Sequence, residues 1–126
     1  MPKIPEPPRR LDAAARDRRI LALVGLGVRS RGAVVGVQQV RNAVLRGNLV
    51  LAIVAADASH HSIDKIVPLL RARRIKLVEM PSAAQLGAAV GRDQTTAVGI
   101  VDRALADGIR DLVQHGLATE PPEEAV

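Results

Sequence analysis

Gly36-Val-Gln-Gln-Val-Arg-Asn-Ala-Val-Leu-Arg-Gly47-Asn-Leu-Val-Leu-Ala-Ile-Val-Ala-Ala-Asp57 holds a helix and a strand placed end to end. Val37, Val40, Ala43 and Val44 recur at the spacing of one helical face. Gln38, Arg41, Asn42 and Arg46 fall on the other side. Gly47 is a natural stop, because glycine accepts positive φ without a Cβ clash. Leu49 to Ala56 is then apolar throughout, as suits a central strand covered on both faces. Gly36 carries no capping side chain, so the first amides of this helix stay free. Free amides at the positive end of a helix dipole attract acceptor-rich groups such as phosphate. Gln38 and Gln39, which donate and accept, can read base edges there.

Outward from this unit, residues 1–10 are rich in proline and basic residues and read as a flexible arm, extended here to residue 16. Leu11 to Val28 is a first helix whose packed part is expected to begin near Asp17, with Ile20, Leu21, Val24 and Val28 inward. Arg29-Ser30-Arg31-Gly32 is a basic turn, and Ala33 to Val35 a short strand that feeds Gly36. After Asp57, either Asp57 or Ser59 caps a helix with Ile63, Ile66, Val67 and Leu70 buried. Pro68 either kinks that helix or marks a new start. Arg71, Arg73 and Arg74 crowd its C-terminal end, where the dipole favours cations. Ile75 to Met80 is a strand, Ser82 to Gln85 a capping box, and Gly91 a stop. Arg92-Asp93-Gln94-Thr95 is a polar loop before a strand at Thr96 to Val101. Asp102 caps a last helix with Leu105, Ile109, Leu112 and Val113 inward. Residues 17–115 thus form one domain and residues 116–126 an acidic tail. Strands alternating with helices predict a three-layer α/β/α sandwich.

Composition narrows the chemistry. The 126 residues contain no Phe, Trp, Tyr or Cys. Base stacking on aromatic platforms is therefore excluded, as are thiolate zinc sites and cysteine nucleophiles. Net charge is +5, with residues 1–46 carrying +7 and residues 47–126 carrying −2. A basic front half fits a polyanionic partner. Phosphate-loop and dinucleotide glycine motifs are absent. His60 and His61 are adjacent, diverge on a helix and cannot share a metal in the i, i+4 manner. The reading is of a non-enzyme without cofactor, metal or small-molecule substrate. No apolar run reaches the roughly 18 residues of a membrane helix, and a cytoplasmic location is expected.

Four stretches together resemble the kink-turn-binding superfamily of ribosomal proteins (the L-seven-Ae and L-thirty-e proteins), especially its small bacterial YlxQ-type members. They are Leu26 to Gly32, Gly36 to Val40, Leu49 to Ser59, and Pro81 to Gly87 with Gly91. The resemblance implies an α/β/α sandwich with a four-stranded mixed sheet that grips bent, structured RNA, with ribosomal RNA a candidate partner. It places Gln38 and Gln39 against the guanines of sheared G·A pairs, and Gly36 and Val37 as backbone contacts. Asn42 stands where the family has a lysine, and Arg92, Gln94 and Thr95 belong to a second contact loop. Arg29, Arg31, Arg41 and Arg46 are expected to hold phosphates on the same surface. Gln38 in place of the family's usual asparagine, Asn42, and the polar second loop depart from the pattern. The rival expectation is a protein-interaction module with the same fold.

Overall fold

The computed structural model describes residues 12–115. The proline-rich arm up to residue 11 and the acidic tail from residue 116 lie outside the described residues. Among the described residues six helices and four strands follow in the order α1 (Ala13–Arg29), β1 (Ala33–Val35), α2 (Val37–Arg46), β2 (Leu51–Ala55), α3 (His60–Ile63), α4 (Val67–Ala72), β3 (Lys76–Met80), α5 (Ala83–Ala89), β4 (Ala97–Ile100) and α6 (Arg103–His115).

The sheet order is β1-β4-β2-β3. β4 runs antiparallel to both β1 and β2, while β2 and β3 are parallel, so the sheet is mixed. Because side chains alternate along a strand, each strand feeds two cores. Leu51, Ile53, Val98 and Ile100 meet Ile20, Val24, Leu86 and Ile109 from α1, α5 and α6. Ala52, Val54 and Ala97 meet Val40, Val44, Ile66 and Leu70 from α2 and the α3–α4 layer. All five residues of β2 are buried, which explains its uninterrupted apolar run. The second core is lined on the sheet by smaller residues. At Gly99 an added Cβ would lie 2.5 Å from Leu49 Cδ1, just after α2, and 3.3 Å from Val40 Cγ2 of α2, so glycine lets this layer approach the sheet closely.

The helix boundaries refine the expected elements. α1 begins at Ala13, inside the expected Leu11–Val28 helix, because Asp12 caps it through a 2.7 Å bond from the Ala15 amide, so residues 13–16 of the expected arm are helical. Ala13 and Ala14 are exposed, Ala15 to Asp17 are half-buried, and Ile20 is the first fully buried residue. Pro68 sits in the first turn of α4 and marks a new helix, where its missing N–H leaves no bond unmade. Of the two readings of Pro68 the new start holds, and the segment forms two helices, α3 and α4.

Ser59 rather than Asp57 caps α3, accepting from Ser62 N. Asp57 instead accepts from Ala83 N at 2.8 Å, tying the end of β2 to the start of α5. Ser82 accepts from Gln85 N at 3.1 Å, which is half of a capping box. Asp57→Ala should cost about 1–2 kcal/mol, since it strands a part-buried amide. Asp57→Asn keeps an acceptor and should cost less. Urea melts followed by circular dichroism at 222 nm would rank the two.

Candidate nucleic-acid interface

The sheet directions fix two rims. β1 ends at Val35, opposite Val98 near the start of β4. β2 and β3 end beside the same start, with Ala55 N bonded to Thr96 O and Ala56 N to Met80 O. The α2 start, the loop before β4 and the starts of α3 and α5 therefore share one rim, here the front. The α1–β1 turn, the end of α2 and the end of β4 share the opposite, rear rim.

At the front, Gly36 has φ 100 and ψ 151, and no side chain caps α2. The tip is fixed by backbone alone: Gly36 N donates to Ala97 O at 2.8 Å, and Val40 N donates to Gly36 O at 2.9 Å. Val37 is half-buried at the start, while Gln38 and Gln39 are exposed beside it. Gln38 Nε2 donates to Asn42 Oδ1 at 3.1 Å, one turn on, which orients the Gln38 amide along the helix. Arg41 is exposed on the same side and has no carboxylate partner among the described residues. The tip is thus open, amide-lined and positively charged.

The loop before β4 is seated on α5. Gly91 takes φ 77. Arg92 N donates to Gly87 O at 2.8 Å, and Thr95 N to Ala83 O at 3.0 Å. Arg92, Asp93 and Gln94 are exposed, whereas Thr95 is only 6% exposed. Thr95 anchors the loop, and Arg92 and Gln94 are the side chains it offers.

Arg29, Arg31 and Arg46 are not brought together with the Gly36 tip, contrary to the sequence expectation. Arg29 ends α1 and Arg46 ends α2, both on the rear rim. A helix of ten residues is about 15 Å long, which separates Arg46 from Gly36 by that much. Arg29 folds back over Gly25 in the groove between α1 and α5. Arg31, at φ 64, lies in the rear turn, where Gly32 O accepts from Val101 N. Helical spacing alone puts Arg46 on the exposed side of α2 but says nothing about which end meets the partner. The front rim also carries exposed His60 and His61, to which the sequence reading gave no role. The signal for their place was the direction of β2, legible only once the pairing with β4 is known.

No metal-binding group of His, Cys, Asp and Glu occurs among the described residues, and none of their helices is long and apolar enough to cross a membrane.

Comparison with known proteins defines the class. The chain belongs to the ribosomal protein L7Ae/L30e/S12e/Gadd45 family, whose model matches residues 18–107. A solved structure described as a protein with unknown function from Bacillus halodurans C is similar at 27% identity, with a TM-score of 0.70 over 75% of this chain and 96% of that one. The Giardia lamblia 15.5kD RNA binding protein shares the fold at 24% identity, with a TM-score of 0.68 over 82% of this chain and 88% of that one. No curated protein matches the sequence.

Proposed function

We propose that this protein is a non-enzymatic RNA-binding protein that recognises bent, kink-turn-like RNA, in the cytoplasm and in a ribosome or translation context, as a YlxQ-type member of its family. The observation that carries the reading is the uncapped α2 start pinned to β4 beside an exposed polar loop. Three helix-tip amides and the Gln38 and Gln39 side chains form a donor-rich edge for guanines. Arg41 and Arg92 supply phosphate contacts at this rim, in place of Arg29, Arg31 and Arg46. Asn42 holds Gln38 rather than contributing a charge. The reach to structured RNA, including ribosomal RNA, rests on family membership and on this edge.

A calorimetric titration with a kink-turn RNA and an unbent duplex control tests it. The expected result is clear preference for the kink. Equal weak binding to both would leave only phosphate attraction and would favour the protein-interaction alternative. Gln39→Ala should cost about 1–3 kcal/mol of binding if its amide meets a base edge. Its salt slope should stay unchanged, because no phosphate contact is lost.

A further inference from the structure

The rear rim holds a second basic feature. Arg73, Arg74, Arg103 and Arg110 surround a cleft of about 410 Å³ floored by Leu49 and Ile75. These arginines come from the end of α4 and from α6, distant in sequence and joined only by the fold. Two are held in place by backbone carbonyls: Arg73 Nη1 donates to Val44 O at 3.4 Å, and Arg110 Nη2 donates to Val50 O at 3.3 Å. Arg110 also pairs with Asp107 at 3.2 Å. Asp102 Oδ1 accepts from the Ala104 and Leu105 amides at the start of α6. Arg74 and Arg103 are exposed and have no carboxylate partner among the described residues. Arg74 also holds φ 56, a conformation that glycine adopts at less cost.

From this arrangement we infer that the rear cleft is a second phosphate-binding site, which takes the sugar–phosphate backbone of a further RNA segment. Guanidinium forks match phosphate oxygens in two-bond pairs. Dispersed, exposed arginines around an open cleft suit the successive phosphates of a strand. No aromatic residue is present to stack bases, so the contact reads backbone and not sequence. The five residues of β2 put the two rims about 17 Å apart, so RNA on the front tip leaves the rear cleft accessible. The protein would then hold two RNA segments at once. The choice of RNA as ligand rests on the function proposed above, whereas the cleft itself does not depend on kink recognition.

The test uses the full chain, a kink-turn hairpin and a fluorescent twelve-nucleotide oligouridylate. Wild-type protein saturated with the hairpin should still bind the oligonucleotide. The double variant Arg74→Gly, Arg103→Gln should weaken oligonucleotide binding about 25-fold at 0.1 M salt, as expected for two lost single-strand phosphate contacts. Its hairpin affinity should stay within about twofold, which also reports that the variant is folded. Conversely, Gln39→Ala should weaken only the hairpin. Unchanged oligonucleotide binding by the double variant, or complete displacement of the oligonucleotide by the hairpin, would overturn the inference. Polyglutamate of matched charge competing as well as the oligonucleotide would also overturn it, in favour of an acidic protein segment. If the hairpin shows no preference over a duplex while the oligonucleotide still depends on Arg74 and Arg103, the tip reading fails and the rear site stands.

Discussion

Gly87→Ala is expected to lower the melting temperature by about 10–20 °C. Gly87 is buried in α5, where the loop before β4 folds back against it. A Cβ there would lie 2.7 Å from Gln94 Cα, 2.8 Å from Gln94 N and 2.9 Å from Arg92 O. All three are backbone atoms, so no side chain can swing aside, and the loop itself has to move. Overpacking of this kind costs about 1–3 kcal/mol. Moving the loop also stretches the bonds from Arg92 N to Gly87 O and from Thr95 N to Ala83 O, a partial loss of about 1 kcal/mol for the two together. The total is about 2–4 kcal/mol, below the usual 5–15 kcal/mol stability of a domain, so the variant should still fold in the cold. Gly91→Ala separates packing from backbone strain. Gly91 has φ 77 but no atom within 4 Å of a new Cβ, so only strain of about 1 kcal/mol is expected. Thermal melts at 222 nm give the ranking. A Gly87→Ala protein that melts with wild type would mean the loop is not seated on α5.

The elements were legible because their signals are local. Gly36 and Gly47 bracket α2, and both take positive φ, 100 and 77. The buried run of β2 could be read from eight apolar residues in a row. Capping was less legible, since Asp57 and Ser59 have the same acceptor chemistry. Only tertiary placement sends Asp57 across 26 residues to the Ala83 amide. Pro68 had two local solutions, and the packing of Ile66 and Leu70 against α2 selects the new start.

The candidate site was legible in part for the same reason. Gln38, Gln39, Arg41 and Asn42 lie within two turns of Gly36, so one helix brings them together. Arg29, Arg31 and Arg46 were grouped with them by charge and closeness in sequence. Closeness in sequence misleads here, because α1, β1 and α2 each traverse the sheet from rim to rim, and successive turns fall at opposite ends. The antiparallel pairing of β1 with β4 decides the matter, and it joins residues more than sixty positions apart. The rear arginines are the converse case. Arg73 and Arg74 read locally as helix-end charges, and only the fold sets them beside Arg103 and Arg110.

Gly36→Ala should act on both stability and RNA binding. At φ 100 and ψ 151 the backbone occupies a region left almost entirely to glycine. Nothing lies within 4 Å of the added Cβ, so the cost is conformational and not steric. Holding alanine there costs about 1–3 kcal/mol. Escaping the strain means rotating the peptide, which gives up the bond from Gly36 N to Ala97 O and re-aims the first amides of α2. Either route reduces stability, but only the second spoils the donor edge proposed to face the RNA. Gly47→Ala supplies the comparison at the other end of the same helix. It too has positive φ, 77, and open space around a new Cβ. Its melting temperature should fall by about 4–8 °C for a cost near 1 kcal/mol. Its kink-turn affinity, measured well below the melt, should be that of wild type. Gly36→Ala, measured at the same temperature and corrected for its folded fraction, should bind the kink at least about tenfold more weakly, the equivalent of 1.4 kcal/mol. Equal affinities for the two alanine variants, with hydrogen exchange showing the residue-36 amide released from Ala97 O, would show that the α2 tip backbone does not touch RNA, because strain alone lowers the folded fraction of both without distinguishing one end of the helix from the other.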